Sequence, residues 1–334
     1  MTKFDFPTGT TRTNGTPNTT RDGGGRRSKL KTMTNKEKAR ERREKRMQEI
    51  SLLRAIPYSD HNRWCSCENV AVVTGSNRGI GLEIARQLAG HGLTVVLTAR
   101  NVDVGLEAVK SLRDQEQGLK IDFHQLDVTD ALYIREFGCW IKETFGGLDI
   151  LVNNAGVNYN LGSDNSVEFA ETVISTNYLG TKNMTKAMIP LMRPSPYGAR
   201  IVNVSSRLGR VNGRRNILLT EELIDRTVSE FINQVKDGTW ESGGWPQTFT
   251  DYSMSKLAVN AYTRLLAKEL SRRGEEEKIY VNSFCPGWVK TAMTGYAGNM
   301  PPEDAADTGV WLTLVLSEEA VTGKFFAERR EINF

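Results

Sequence analysis

From residue 69 onward, short β-branched runs alternate with amphipathic stretches of helical length, and this alternation constrains the fold more than any other feature of the chain. The runs lie at 69–74, 94–98, 121–126, 149–153, 199–204 and 279–284, with a last short one at Gly323–Ala327. Helical periodicity fills the gaps, as in Ile80–Ala89 and Asn165–Pro190. Strand-helix alternation predicts an α/β domain with a parallel sheet and helices on both faces. Right-handed crossovers make it doubly wound. Ligands of such sheets sit beyond the carboxyl ends of the strands, where strand order reverses, so chemistry is sought just after each strand.

The first run leads into VAVVTGSNRGIGLEIARQL, which places Gly75, Gly79 and Gly81 between a strand and an amphipathic helix. Gly75 suits a tight turn, Gly79 a close approach of pyrophosphate to the backbone, and Gly81 close helix–sheet packing. The free amides of the helix start would face the anion. A plain strand-to-helix turn is the alternative. The placement points to a Rossmann-type dinucleotide site that includes Asn77, Arg78 and Ile80. The second run ends at Arg100, where an acid would select NAD(H). A guanidinium matches a 2′-phosphate, Arg78 could reach the same group, and NADP(H) is therefore expected. Surface charge is the other reading of both arginines. Asp127 is placed to hold the adenine edge, with Val128 against the ring, although Asp127 or Thr129 could simply cap the next helix. Asn153, Asn154, Ala155 and Gly156 suit cofactor contact or an Asn-rich turn.

Ser205 and Ser206 follow the fifth run. Tyr252 and Lys256 form Tyr-x-x-x-Lys within DYSMSKLAVNAYTRLLAKEL, and the spacing puts both on one helix face. A neighbouring ammonium favours the phenolate and would lower the tyrosine pKa, letting it give or take a proton near neutrality. Asn177, in ISTNYLGT, can complete a proton relay to Lys256 through water; alone it reads as a polar helix residue.

Together these residues resemble the short-chain dehydrogenase/reductase family, and the resemblance covers residues 68–334. CPGWVKTAM, with Pro286, Gly287, Val289 and Thr291, is similar to the family's nicotinamide-binding turn. Within the family the chain resembles the monomeric NADPH-dependent carbonyl reductase branch, which includes plant menthone- and salutaridine-type reductases. The resemblance implies reduction of a ketone or aldehyde to an alcohol. Ser206 would hold the carbonyl oxygen and Tyr252 would protonate it. Lys256 would tune the tyrosine and bind the nicotinamide ribose, and Asn177 would hold the relay water. The alternative is a non-catalytic NADP(H)-binding protein, against which the intact Asn-Ser-Tyr-Lys set argues. Between Ser206 and Tyr252 lie 45 residues, far more than shorter members have. This helical insertion, about 207–250, has a helix expected from Thr220 to Lys236 and two tryptophans, Trp240 and Trp245. In the resembling branch it covers the face that other members use to associate, which implies a monomer; the tryptophans could equally be plain packing.

Charge separates the chain near residue 55. Residues 1–50 hold 14 Lys and Arg against 6 Asp and Glu, a local +8 in a chain of net +4, so the remainder carries −4. The body thus has no excess positive charge to draw it to nucleic acid. Residues 1–32 are Thr- and Gly-rich with almost no apolar content and read as a disordered tail. They faintly resemble a transit peptide but lack an amphipathic Arg-bearing helix, and no secretory h-region is present. Met33 could be a second start. Residues 33–55 read as a charged helix and linker, with Thr34 and Glu37 at capping-box spacing. A solvated helix is the simplest reading, though RERREKR also fits an import or nucleic-acid signal. Cys65, Cys67, Cys139 and Cys285 lack metal-ligand spacing, and the chain has only 3 histidines, so no metal is expected and the thiols suit a reducing, cytoplasmic setting. No run approaches ~18 consecutive apolar residues, so no membrane span is expected. The substrate stays open among terpenoid and alkaloid ketones, aldehydes and quinones, because its walls fall in the stretches 157–165, 207–250 and 292–301.

Overall fold

The computed structural model describes residues 34–55, 64–159, 166–210 and 219–333. The expected tail 1–32, His61 and parts of two pocket loops lie outside the described residues. The chain divides between Ile56 and Pro57 into two compact units. The described part of the first unit is the helix α1 (Asn35–Ala55). Its start is the anticipated capping box: the Thr34 amide donates to Glu37 Oε2 at 2.7 Å and the Glu37 amide to Thr34 Oγ1 at 3.2 Å.

The second unit is built on an eight-stranded sheet in the order β3-β2-β1-β4-β5-β6-β7-β8. The strands are β1 (Val70–Val73), β2 (Thr94–Ala99), β3 (Ile121–Gln125), β4 (Ile150–Asn153), β5 (Ala199–Val204), β6 (Ile279–Phe284), β7 (Phe325–Ala327) and β8 (Arg330–Glu331). All neighbours are parallel except β7 and β8. The two-residue β8 carries no readable period and was not expected from the sequence. Strand order reverses between β1 and β4, where Val72 pairs with Leu151. β1, β4 and β5 are buried along their whole length, as central strands covered on both faces must be.

The pleat sorts alternate residues to opposite faces. Ala71, Val73, Val95 and Leu97 pack with α2 (Gly79–Gly90), α3 (Val102–Gln115) and α9 (Pro302–Leu314). Val70, Val72, Val96 and Leu151 pack with α4 (Ala131–Phe145), α5 (Val167–Ile174), α6 (Thr181–Met188) and α8 (Thr250–Leu270). The insertion contributes α7 (Glu221–Lys236), capped by Thr220, whose hydroxyl accepts from the Leu223 amide at 3.2 Å. Ile224, Val228, Phe231 and Val235 recur at helical spacing and are buried. Trp245 donates to Gln234 at 2.8 Å and meets Phe231 edge-on, so it is packing. Asp225 of α7 accepts from Tyr178 at 2.7 Å and Lys182 at 2.6 Å, and Glu221 from Lys186 at 2.5 Å, which docks the insert on α6 and the turn before it.

Two expectations change. The helix foreseen over Asn165–Pro190 is not uniform: α5 and α6 are joined by a π-helical turn, Ser175–Gly180, and a 3-10 turn ends the run at Leu191. Tertiary contact shapes that turn, since a Cβ on Gly180 would stand 2.8 Å from Val128. The cap of α4 is Asp130, which accepts from Leu132, while Asp127 binds the amide and hydroxyl of Thr129 at 2.9 and 2.7 Å.

Arg200 is the second residue of β5 and is 1% exposed. Its guanidinium lies 5.1 Å from the Trp64 ring centre and 4.3 Å from that of Tyr280. It donates to the carbonyls of Tyr197, Gly198 and Val315 at 2.8, 2.7 and 3.2 Å. Burial without a carboxylate brings its pKa down to about 10. Arg200→Met should leave these carbonyls without their donor and lower unfolding free energy by about 2–3 kcal/mol. Turnover should persist, because Arg200 lies at the end of β5 away from the strands' carboxyl ends. Urea unfolding alongside an activity assay checks both; an unchanged midpoint would contradict the role.

Candidate functional site

β1 leaves the sheet at Thr74, and the chain turns on Gly75 and Gly79, with φ +59° and +60°. Glycine is required for more than φ. A Cβ on Gly75 would come within 2.9 Å of Ala155 Cα, and one on Gly81 within 2.3 Å of Asn154 Nδ2. The Asn154 amide donates to the carbonyls of Thr74 and Gly75, both at 2.9 Å. Thr74 Oγ1 accepts the backbone amides of Asn154 and Ala155 at 2.9 and 3.0 Å. The two loops flanking the switch point are thereby locked together. Ser76, fully buried, ties the turn to β2: its hydroxyl donates to Val73 at 2.7 Å and accepts from Thr98 at 3.0 Å. Thr74 and Ser76 were missed by the sequence reading, although both stand within the glycine motif.

Arg78 precedes α2 in extended conformation and makes no side-chain cap. The first amides of α2 therefore keep their donors directed outward, the arrangement that receives a phosphate. Arg78 and Arg100 are exposed, and neither forms an ion pair with a described residue. Asn77 and Ile80 are half-buried beside them. Pro286 and Gly287 (φ +94°) turn the chain after β6, Val289 is buried, and Thr291 reaches the glycine loop: a Cβ on Gly79 would lie 3.4 Å from its methyl. Val128 is buried beneath Gly180, and Asp127 is half-buried with Oδ1 on Thr129. A glycine cradle with outward amides and two arginines beyond it fits NADP(H).

The second cluster lies beyond β4 and β5. Lys256 is 4% exposed, and its ammonium donates to Val204 at 2.8 Å, 5.5 Å from the centre of the Tyr252 ring. Ser206 neighbours the Tyr252 hydroxyl and draws its pKa down. Asn177 sits fully buried on the π-helical turn. Its Oδ1 accepts from Val157 at 2.8 Å, and its Nδ2 donates to Val157 O and Ser255 Oγ, both at 3.0 Å. A Cβ on Gly156 would come within 3.2 Å of Asn177 Oδ1 and 3.7 Å of Lys256 Nζ. Gly156, Asn177 and Lys256 thus share one small space. Asn153, by contrast, turns inward to Thr185 and Asn203 at 2.9 and 2.8 Å and serves the sheet.

Electrostatics corrects one expectation. The Tyr252 hydroxyl is held above its usual range rather than below it: burial raises it, Cys285 adds to this, and the Ser206 hydrogen bond opposes. Burial likewise brings Lys256 down to about 8, with Cys285 opposing. Removal from water dominates both shifts, and the Lys256 ammonium read from the spacing is not among the influences on the phenol. Tyr252 is therefore a protonated phenol at neutral pH.

Residues 69–218 and 244–301 match the short chain dehydrogenase family. The chain is 39% identical over 297 residues to (+)-neomenthol dehydrogenase of Arabidopsis thaliana, across 79% of this chain and 97% of that protein. It is 36% identical over 275 residues to human Carbonyl reductase [NADPH] 1, across 78% and 97%. Salutaridine reductase from Papaver somniferum superposes with a TM-score of 0.70 at 37% identity, covering 77% of this chain and 99% of that one. Menthone neomenthol reductase from Mentha piperita gives 0.67 at 33%, covering 78% and 98%.

The depressed Lys256 pKa has a stability consequence. Between about pH 8 and 10.5 the unfolded chain holds this proton and the folded chain does not, so the group makes stability rise with pH across that window. Lys256→Met should flatten the rise, measured by urea unfolding of the protein without cofactor. An identical pH dependence in both proteins would contradict the burial-driven shift.

Proposed function

The chain belongs to the short-chain dehydrogenase family, and from that premise we propose that it is an NADPH-dependent carbonyl reductase, turning a ketone or aldehyde into an alcohol reversibly. The observation that carries the reading is the convergence of Ser206, Tyr252 and Lys256 across β4 from the glycine cradle. Bound NADPH would supply a hydride. The α2 amides with Gly75, Asn77, Gly79, Ile80 and Gly81 would hold its pyrophosphate. Arg78 and Arg100 would hold the 2′-phosphate, and Asp127 and Val128 the adenine. Ala155, Gly156, Pro286, Gly287, Val289 and Thr291 would receive the nicotinamide half, with Asn154 bracing the loop.

Ser206 orients the carbonyl oxygen, and Tyr252, kept protonated by its buried setting, donates the proton to that oxygen. Lys256 contributes positive charge beside the phenol and grips the nicotinamide ribose. Asn177 fixes the backbone at Val157 and would hold a relay water beside Lys256. Tyr252→Phe should keep NADPH affinity, read by fluorescence, and lose roughly 10²–10⁴-fold in turnover with a reactive aromatic aldehyde or quinone. Retention of more than about a tenth of turnover would remove Tyr252 as the acid and revive the binding-protein alternative.

We infer further that residues 68–334 are the reductase body and act as a monomer. Docking of α7 against α6 supports this, as does the family match, which begins at residue 69. A cytoplasmic setting is supported by four cysteines that form no disulfide among the described residues, and fractionation of tagged protein checks it. Among the described residues no helix is long and apolar enough to cross a membrane. A chain lacking residues 1–54 should keep near-normal turnover and a monomer mass by light scattering; a dimer mass would contradict the role given to α7.

A further inference from the structure

The hairpin between β7 and β8 turns on two residues, Glu328 and Arg329, with φ +56° and +55°. Two-residue hairpin turns of this hand are ordinarily made by Asn-Gly, Asp-Gly or Gly-Gly. Here both positions carry long side chains on a left-handed backbone, a conformation that persists only where its surroundings over-determine it. The restraint is visible at Arg329, whose side chain is 6% exposed. Its amide donates to Thr308 Oγ1 at 3.0 Å, and its guanidinium donates Nε to Asp307 Oδ2 at 2.9 Å and Nη2 to Asp307 Oδ1. Both acceptors belong to α9. The strands are tied as well: Phe326 O accepts from Cys285 at 2.8 Å, and Ile332 donates to Phe325 O at 2.7 Å.

With Arg329 fixed to α9, its neighbour Glu328 meets Arg207, Oε2 to Nη2 at 3.5 Å. Arg207 directly follows Ser206 and begins the 3-10 turn Arg207–Gly209. Ser206 caps this turn, accepting the Leu208 amide on Oγ at 3.2 Å. Both ends of the turn rest on α8. Ser205 Oγ donates to Lys256 O at 3.3 Å, Asn260 donates to Gly209 O at 3.0 Å, and a Cβ on Gly209 would strike Lys256 C at 2.3 Å. The side chain between these anchors is held by Glu328. A half-exposed ion pair of this length adds little to folding, so its consequence lies in where the turn points.

We propose that the C-terminal hairpin is a positioning device for Ser206, in which Glu328 acts through Arg207 to hold the turn that aims the serine hydroxyl. The proposal rests on the reading of Ser206 as the group that orients the carbonyl oxygen. Small displacements of an orienting group are costly in rate, and the strained turn is the means of delivering a carboxylate from the sheet edge to the site.

The discriminating variant is Glu328→Gly. Glycine adopts this φ without a Cβ penalty, so the melting temperature should hold or rise. Arg207 loses its partner, so kcat for aldehyde reduction should fall about tenfold while NADPH affinity stays unchanged. Glu328→Gln and Arg207→Met should each give the same loss. Their combination should be no worse than either alone, since both cut one link. Unchanged kcat in Glu328→Gly, losses that track melting temperature alone, or fully additive losses in the double variant would overturn the proposal. Ser206→Ala is measured in parallel. If it keeps full turnover, the reading of Ser206 fails; if it loses turnover while the Glu328 variants do not, the hairpin proposal alone fails.

Discussion

The side-chain amide of Asn154 donates to the carbonyls of Thr74 and Gly75, and this crossing of the gap between β1 and β4 is the contact on which the candidate site depends. It joins the loop that would hold phosphates to the loop that borders the proton-transfer groups. It also dictates glycine at position 81, because any Cβ there would occupy the place of the amide. The Thr74 hydroxyl, accepting two amides from the far side, makes the junction rigid. From it the path to chemistry is short: Gly156 lies two residues beyond Asn154 and touches the space shared by Asn177 and Lys256.

Removal from water is the second organising force. A lysine whose hydrogen-bond partner among the described residues is a backbone carbonyl, and a phenol beside a serine, are both pushed toward neutrality by burial. A neutral phenol is the form that a reductase needs to donate a proton, so burial prepares Tyr252 for its role.

Much of this was legible in the sequence, because the features concerned are local. The glycine turn between strand and helix, the Tyr-Lys spacing and the capping box at Thr34 depend on near neighbours alone. What stayed hidden depends on distant ones. The π-helical turn carrying Asn177 follows from Val128, Val157 and Asp225, none of them adjacent to it in sequence. The α4 cap fell on Asp130 because Asp127 was already engaged with Thr129. The tyrosine pKa moved the other way because spacing reports a neighbouring charge but not the water excluded around it. β8 is too short to show a period, and its turn breaks the usual residue preference.

The central claim is that a cradle selecting NADPH and a protonated tyrosine acid form one reducing site. It is tested most directly by steady-state reduction of a reactive aromatic aldehyde with NADPH and NADH side by side, on the unmodified chain and on Arg100→Asp. The account predicts alcohol formation matched to NADPH consumption, a clear preference for NADPH, and its shift toward NADH in the variant. Equal turnover with both cofactors, or tight NADPH binding without any alcohol formed, would contradict it.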